Sequence, residues 1–528
     1  MHSILPFLLA MIAAIVLLEM LATKLKVAYP IILVVAGLLI SFIPGLPAIK
    51  VNPDLIFFIV LPPLLFEAAW NISLKEMKKW YRIISSFAFL VVLFTALSVA
   101  IVTNFYIPGF TIGLGFLLGG IVSPPDAVSV TALTKFVKIP KSTSTILEGE
   151  SLLNDASSLI IFRFALIAIG TGQFIWQQAA IDFAWMIIGG VGVGLLLAWL
   201  FVKLHKILPT DASSDIAFTL IEPYFMYWVG EEIHSSGVLA VVAGGLYMSN
   251  RSMVFLSSAS RIMGYNVWES FIFILNGIVF LIIGLDLSEI VAGIRSEGIP
   301  LTTAIGYGVM VTGILVLARM ICAYTALLAT YIFRPSVMPR ARSRKRQLMM
   351  PLLLGWTGMR GVVSLAAALS IPIALGNGQN FPHRNLILFI TFNVILLTLM
   401  VQGLTLPFII RRTKLFDSIE FTIEPEDISA QKIRQGLKDH TYQFLKTKVD
   451  GDFHNDHILQ KLLAHWEEKT KMPDEDWRSE NSKKVYFEML NSQRDFLTQA
   501  NLDPSLNEEI IRHQLYLIDL EEERMKLL

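Results

Sequence analysis

The amino-acid sequence predicts an all-α polytopic membrane protein of about thirteen transmembrane helices, followed by a helical soluble tail. Three observations carry that expectation: a deficit of charge, apolar runs of membrane-spanning length, and basic residues that alternate between successive loops. Of 528 residues, 54% are hydrophobic and 16% are charged, with a mean hydropathy of +0.62. Soluble domains carry about 25% charged residues, so lipid is the expected solvent. The bilayer is the expected partner, and nothing in the composition calls for nucleic acid. The single cysteine, Cys322, excludes an internal disulfide and reads as a small buried hydrophobe.

A hydrocarbon core of about 30 Å takes roughly 20 residues of helix. Apolar runs fall at 3–22, 28–44, 52–70, 83–105, 111–134, 143–169, 180–202, 214–231, 236–250, 267–287, 301–332, 347–372 and 385–410. The start, Met1-His-Ser-Ile-Leu-Pro6, has no basic region and no small-residue cleavage site after it, so the first run reads as a retained span rather than a signal peptide. Cytoplasmic loops are enriched in Lys and Arg. With the N-terminus outside, the inner loops hold Lys24 and Lys26; Lys75, Lys78, Lys79 and Arg82; Lys135, Lys138 and Lys141; Lys203 and Lys206; Arg251 and Arg261; and six residues from Arg334 to Arg346. The outer loops hold only Lys50, Arg295 and Arg384, so 19 basic residues stand against 3 and one miscounted span would destroy the alternation. The expectation is a multi-pass protein of the plasma (inner) membrane, N-terminus outside and C-terminus cytoplasmic.

Charge divides the chain at about residue 414. Residues 415–528 contain 15 basic and 24 acidic side chains, a net of −9, whereas residues 1–414 carry a net of +10. The expected domains are therefore a transmembrane domain over 1–414 and a cytoplasmic helical tail over 415–528. Ser505 and Glu508 have capping-box spacing ahead of Ile510, Ile511, Leu515 and Ile518. Five of the nine histidines lie in the tail (His440, His454, His457, His465, His513) and read as solvated surface, with pH sensing as the alternative. No partner for the tail is indicated.

Ionisable residues within the apolar runs are the functional candidates, because a carboxylate at the bilayer centre costs about 2.5–3.5 kcal/mol on insertion scales. They are Glu19, Glu67, Asp126, Glu150, Asp155 and Glu222, with Arg163, Arg319 and Arg360 as counter-charges. Asp155 stands about twelve residues into the sixth run, roughly 18 Å deep at about 1.5 Å per residue. Ser151 shares its helix face at i−4, and Glu150 and Asn154 form a second such pair. Asp126 follows Ser123-Pro-Pro, midway along the fifth run. Two prolines remove two backbone donors and leave the carbonyls near Gly120 and Ile121 free as cation ligands. Arg360 lies among three glycines in Gly355-Trp-Thr-Gly-Met-Arg-Gly361, midway along the twelfth run, and Glu150 is its expected partner. Runs five and twelve are seven apart and similarly interrupted, which predicts inverted repeats whose two broken helices cross at the site. Glu67 reads equally as a ligand, a charge at the inner mouth, or half of a structural pair. Glu19 reads as snorkelling or paired with Lys24. Arg163 and Arg319 read as structural partners of buried acids, and Glu231, Glu232 and His234 as a solvated helix end.

At these residues the sequence resembles the sodium/proton exchangers of the monovalent cation:proton antiporter-1 family. The matching stretches are Leu61-Pro-Pro-Leu-Leu-Phe-Glu67, Ser123-Pro-Pro-Asp126, Gly149-Glu-Ser-Leu-Leu-Asn-Asp155 and Gly358-Met-Arg-Gly361, with a weaker match over His234–Leu246. The resemblance covers roughly residues 1–410 and implies a homodimer with one ion site per protomer. It implies that Asp155 is the shared Na+ and proton site, with Asn154 beside it and Asp126, Ser151, Ser123 and Glu67 helping to coordinate. It also implies a structural pair between Glu150 and Arg360, and no cofactor beyond the transported Na+ and H+. The family's usual Thr-Asp-Pro is here Pro125-Asp126-Ala127, so the threonine ligand is absent. The Asn-Asp pair is similar to that of members exchanging one cation for one proton.

The expected function is exchange of Na+ or Li+ for H+ by alternating access, serving pH homeostasis, with proton and cation competing at Asp155. A K+/H+ antiporter built on the same site is the first alternative, and a cation channel gated by the tail the second. An enzyme is not expected: there is no HExxH, no phosphate-cradling loop and no intramembrane Ser/His arrangement.

Overall fold

The computed structural model describes residues 4–42, 53–126, 141–172, 176–333, 351–375, 379–413, 426–450, 457–471, 480–500 and 508–527. Ala127, the loop residues Lys50, Lys135, Lys138 and 334–346, His454, and the capping serine Ser505 lie outside them. The chain divides into two compact units, Met1–Glu420 and Phe421–Leu528.

Among the described residues the regular elements of the first unit are helices, with one isolated bridge between Ala374 and Asn380. Its helices are α1 (Ile4–Leu25), α2 (Tyr29–Ser41), α3 (Pro53–Asn71), α4 (Leu74–Ser85), α5 (Val92–Tyr106), α6 (Ile112–Val122), α7 (Lys141–Thr171) and α8 (Trp176–Ile207). They continue as α9 (Ala212–Glu232), α10 (Gly237–Phe255), α11 (Ser258–Leu285), α12 (Leu287–Ser296), α13 (Leu301–Phe333), α14 (351–356), α15 (Val362–Leu369), α16 (Arg384–Leu397) and α17 (Gly403–Thr413). Single π-helical turns, Ser86–Val91 and Thr398–Gln402, join α4 to α5 and α16 to α17. Each of the thirteen apolar runs carries helix. Seven helical stretches among the described residues are long and apolar enough to cross a membrane, and Tyr29–Ser41, Phe58–Asn71 and Ile112–Val122 are apolar but shorter.

Local chemistry starts these helices where side chains can satisfy orphan amides. Thr111, Asp211, Ser236 and Ser257 accept from the backbone N–H three residues on, at the starts of α6, α9, α10 and α11. Prolines act differently by context. Pro62 and Pro63 lie inside α3, which remains helical through them, whereas Pro124 and Pro125 follow directly on the end of α6.

Three apolar clusters hold the unit together. One joins α1, α2 and α11 to α15 and α16 through residues such as Ile15, Val34, Phe280, Leu365 and Phe392. A second joins α5, α6, α12, α13 and α16, and a third joins α3, α8, α9 and α10. Helix α7 contributes to both of the latter: Phe162 and Ala165 to the second, Leu152 and Ala156 to the third. The stretch bearing Glu150, Asn154 and Asp155 is thereby clamped from several sides.

The second unit consists of α18 (Glu426–Asp450), α19 (His457–Lys471), α20 (Glu480–Ala500) and α21 (Glu508–Leu527). Helices α20 and α21 are tied by Arg494, which donates to Asp519 at 2.7 Å and also pairs with Glu522, and by Tyr486, which donates to Glu521 at 2.9 Å. Leu490 and Met525 are buried in this unit.

Candidate ion-binding site

Two chain breaks meet at the centre of the first unit. Helix α6 ends at Val122, and Ser123 is the last residue whose N–H returns to the helix, donating to Gly119 O at 2.9 Å. Pro124 and Pro125 have no N–H to give. The next amide, that of Asp126, donates instead to Met359 O at 2.7 Å. Met359 belongs to residues 357–361, a non-helical stretch between α14 and α15. The two breaks are thus joined through the backbone.

Charge at this junction opposes the helix ends. Arg360, buried to 1% exposure, donates from Nε to Val122 O at 2.8 Å and from Nη2 to Ser123 O at 3.2 Å, and also bonds Gly358 O. Its guanidinium sits on the free carbonyls at the C-terminal end of α6, where the helix dipole favours a cation. Its own N–H donates to Thr398 Oγ1 in the second π turn at 3.1 Å. On the other side, Asp126 lies against Gly361, the residue before α15: a Cβ there would be 2.2 Å from Asp126 Oδ2. A carboxylate at a helix N-terminus is the complementary arrangement.

These contacts extend one expectation and correct another. Besides the carbonyls near Gly120 and Ile121, which the two prolines deprive of donors, those of Val122, Ser123 and Pro125 lie beyond the last helical bond and take side-chain donors. Glu150 is not paired with Arg360. Glu150 is bound by Arg319 of α13, at 2.6 Å (Nη1 to Oε1) and 3.0 Å (Nη2 to Oε2), while Arg319 Nε donates to Leu354 O at 3.1 Å. Both arginines pack over Gly358, where an added Cβ would meet Arg360 Nη1 at 2.5 Å and Arg319 Cδ at 2.8 Å. Arg360 is committed to carbonyls, and Arg319, on the neighbouring helix, reaches the carboxylate with two parallel bonds.

Helix α7 presents the remaining groups. Ser151 Oγ and Asn154 Nδ2 donate to Pro125 O at 3.3 and 3.4 Å, which ties α7 to the first break. Asn154 is fully buried, and its Oδ1 has no hydrogen-bond partner. Asp155 is 7% exposed and its carboxylate takes no hydrogen bond or ion pair among the described residues; Asp126 acts on it electrostatically. Ser123, also buried, turns its hydroxyl back to Gly119 O at 2.5 Å. Asp126, Ser123, Ser151, Asn154 and Asp155 are therefore gathered around one break. Glu67 accepts from Asn71 at 2.5 Å and lines a separate cavity of about 300 Å³ with Trp70, Asp215, Thr219, Ser260 and Glu269.

The other candidates are structural or lie elsewhere. Glu231 is not merely a solvated helix end: it pairs with Arg163 and accepts from Gly237 N at 3.1 Å. Glu19 accepts from Thr23 at 3.3 Å. Glu222 is bound to His205, which the sequence places in a loop because Lys203 and Lys206 flank it. No sequence periodicity links His205 to acids on the next helix, so that cluster had no local signal. Arg319 had one, as an arginine within an apolar run, but nothing named its partner.

Comparison with known proteins gives this architecture a family. The model of the sodium/hydrogen exchanger transmembrane family matches residues 8–412. The chain belongs to that family. A sodium, potassium, lithium and rubidium/H+ antiporter of Bacillus pumilus is 31% identical over 416 residues, covering 78% of this chain and 61% of the relative. The chain thus spans about three-fifths of that relative's length. An uncharacterized Na+/H+ exchanger of Mycobacterium bovis is 27% identical over 532 residues, covering 97% of this chain and 94% of the relative. Among solved structures, the sodium proton antiporter MjNhaP1 of Methanocaldococcus jannaschii superposes with a TM-score of 0.62 over 77% of this chain and 97% of its own, at 18% identity. The chain shares that fold.

Two outcomes follow from the junction. Arg319→Met leaves Glu150 charged and unpartnered in the interior, a loss of about 3–5 kcal/mol for a broken buried pair. The thermal midpoint of the detergent-solubilised protein should fall, and the double variant Arg319→Met/Glu150→Gln should recover part of the loss. Equal midpoints for the single and double variants would contradict the pairing. Gly361→Ala drives a methyl into Asp126 and should impair ion binding more than it lowers the thermal midpoint.

Proposed function

We propose that the protein is a secondary transporter that exchanges Na+ or Li+ for H+ across the plasma membrane, one for one, by competition at Asp155. The observation that carries this reading is the division of roles among the buried ions. Glu150 is neutralised by Arg319, Arg360 is committed to carbonyls, and Asp126 lies at a helix N-terminus. Asp155 alone of these has neither an ion pair nor a hydrogen bond among the described residues, and the orphan Asn154 Oδ1 is on the adjacent residue. A buried acceptor without a donor is stable when a water or an ion completes it. A dehydrated cation takes oxygen ligands; a proton needs one carboxylate oxygen. Asp155 holds one or the other, and in either case the site is neutralised before it crosses.

Thirteen spans, an external N-terminus and a cytoplasmic tail belong to this reading, as do a homodimer and alternating access by inverted repeats. The loop charges support the span count and orientation, and the fold shared with the sodium proton antiporter MjNhaP1 supports the helical architecture. Glu67 takes the place of a group at the mouth of the pathway rather than a ligand at Asp155, because its cavity is lined by other residues. A K+/H+ exchanger on the same site is the second reading. Two observations favour keeping it: the Pro125-Asp126 segment lacks the family's threonine ligand, and the Bacillus relative is named for four alkali cations.

In proteoliposomes, Asp155→Asn should abolish Na+-dependent proton release while leaving the protein monodisperse; full exchange in that variant would refute the assignment. Running the wild-type assay with each alkali cation, with and without an imposed membrane potential, separates the two cation readings. A rate independent of potential is expected for one-for-one exchange, whereas current without coupled proton movement would indicate a channel.

A further inference from the structure

A second buried ionic cluster lies away from Asp155. His205, near the end of α8, has a carboxylate on each ring nitrogen: Asp215 Oδ1 is 2.9 Å from Nδ1 and Glu222 Oε1 is 2.9 Å from Nε2. The imidazole is fully buried and the two carboxylates nearly so. Phe218 and Phe255 pack on the ring, with centroids 5.2 and 5.0 Å away. Asp215 Oδ2 accepts from Ser260 at 2.7 Å, and Trp268 Nε1 donates to Thr219 one turn along α9 at 3.2 Å. The cluster therefore ties α8, α9 and α11 together.

Hydrogen-bond bookkeeping fixes how many protons this geometry contains. A neutral imidazole has one donor and one acceptor nitrogen, and an ionised carboxylate only accepts. With a carboxylate on each nitrogen, one contact would set a lone pair against a lone pair. Either the ring is an imidazolium or one carboxyl is protonated. Both forms hold one proton more than a neutral ring with two carboxylates, and carry one negative charge rather than two. Removing that proton would leave two buried negative charges sharing one donor, an arrangement that burial penalises heavily.

We propose that His205, Asp215 and Glu222 form a proton-binding site distinct from Asp155, whose occupancy holds α8 to α9 and α11 and sets the pH range of transport. The proton-binding half stands whatever the chain transports; the second half rests on the exchange reading above. Protons reach the cluster through the cavity of about 300 Å³ that Asp215 and Ser260 line together with Glu67, Arg261 and Glu269. The charged groups facing that cavity besides Asp215 are Glu67 of α3 and Glu269 and Arg261 of α11. The other nearby cations are engaged elsewhere: Arg251 of α10 stacks on Tyr247 at 4.5 Å and Lys203 of α8 on Trp199 at 5.0 Å. Lys206 of α8 is exposed.

The test uses the full chain labelled with nitrogen-15 histidine in liposomes, with His205→Gln identifying the resonances of His205. At about pH 8, where an ordinary histidine is neutral, His205 should show both ring nitrogens protonated. The equivalent result is a neutral ring together with a protonated-carboxyl infrared band that Glu222→Gln or Asp215→Asn removes. A neutral ring with no such band at about pH 6 overturns the site, whatever the chain transports. Glu222→Gln keeps an acceptor towards the ring and preserves a folded comparison if His205→Gln is unstable. In the exchange assay, both variants should move the midpoint of the pH profile by about one unit or more, with apparent cation affinity at the optimum kept within about threefold. Profiles that superimpose on wild type overturn the role in transport while leaving the exchange reading intact.

Discussion

The bond from Asp126 N to Met359 O, 2.7 Å long, is the constraint on which the centre of this protein depends. It joins two stretches of backbone that have left the helix, in an interior where an unpaired amide or carbonyl costs several kcal/mol. Each break exposes a helix end, and the side chain beside the other break answers it. Arg360, from the second break, covers the carbonyls closing α6; Asp126, from the first, lies at the start of α15. Neither break is tenable without its counterpart, so the two segments are one structural unit although more than 230 residues separate them.

That reciprocity decides which charges are available for chemistry. Arg360 spends its donors on carbonyls, so Glu150 needs another cation, and Arg319 supplies it from α13 with a contact to α14 as well. A buried pair of this kind does not by itself stabilise a fold, since desolvation offsets much of the attraction. Its consequence is electrostatic: Glu150, only five residues from Asp155, is neutralised in place. Asp155, on which Asp126 acts electrostatically, then has no ion pair among the described residues. The triad at His205 shows the contrasting solution, in which two buried acids share one ring and the extra proton is built into the geometry.

Much of this was legible in the chain. Helix lies in each of the thirteen apolar runs, and a mid-membrane carboxylate is expensive enough that Asp126, Glu150 and Asp155 stood out as ionisable residues alone. Proline pairs were less informative. Pro62-Pro63 and Pro124-Pro125 look alike in sequence, yet α3 continues through the first and α6 ends before the second. The difference lies in what receives the released backbone: the second pair faces Met359 and Arg360.

What the sequence determined by itself was the membrane class, the family and the identity of the residues around Asp155, because hydropathy, loop charge and motif spacing are local properties. What only the tertiary structure decided was partnership. Arg319 rather than Arg360 holds Glu150, Pro125 O anchors Ser151 and Asn154, and His205 joins acids from the next helix. An ionic partner is chosen by distance and desolvation in three dimensions, and residues 10 to 240 positions apart leave no periodicity from which that choice can be read.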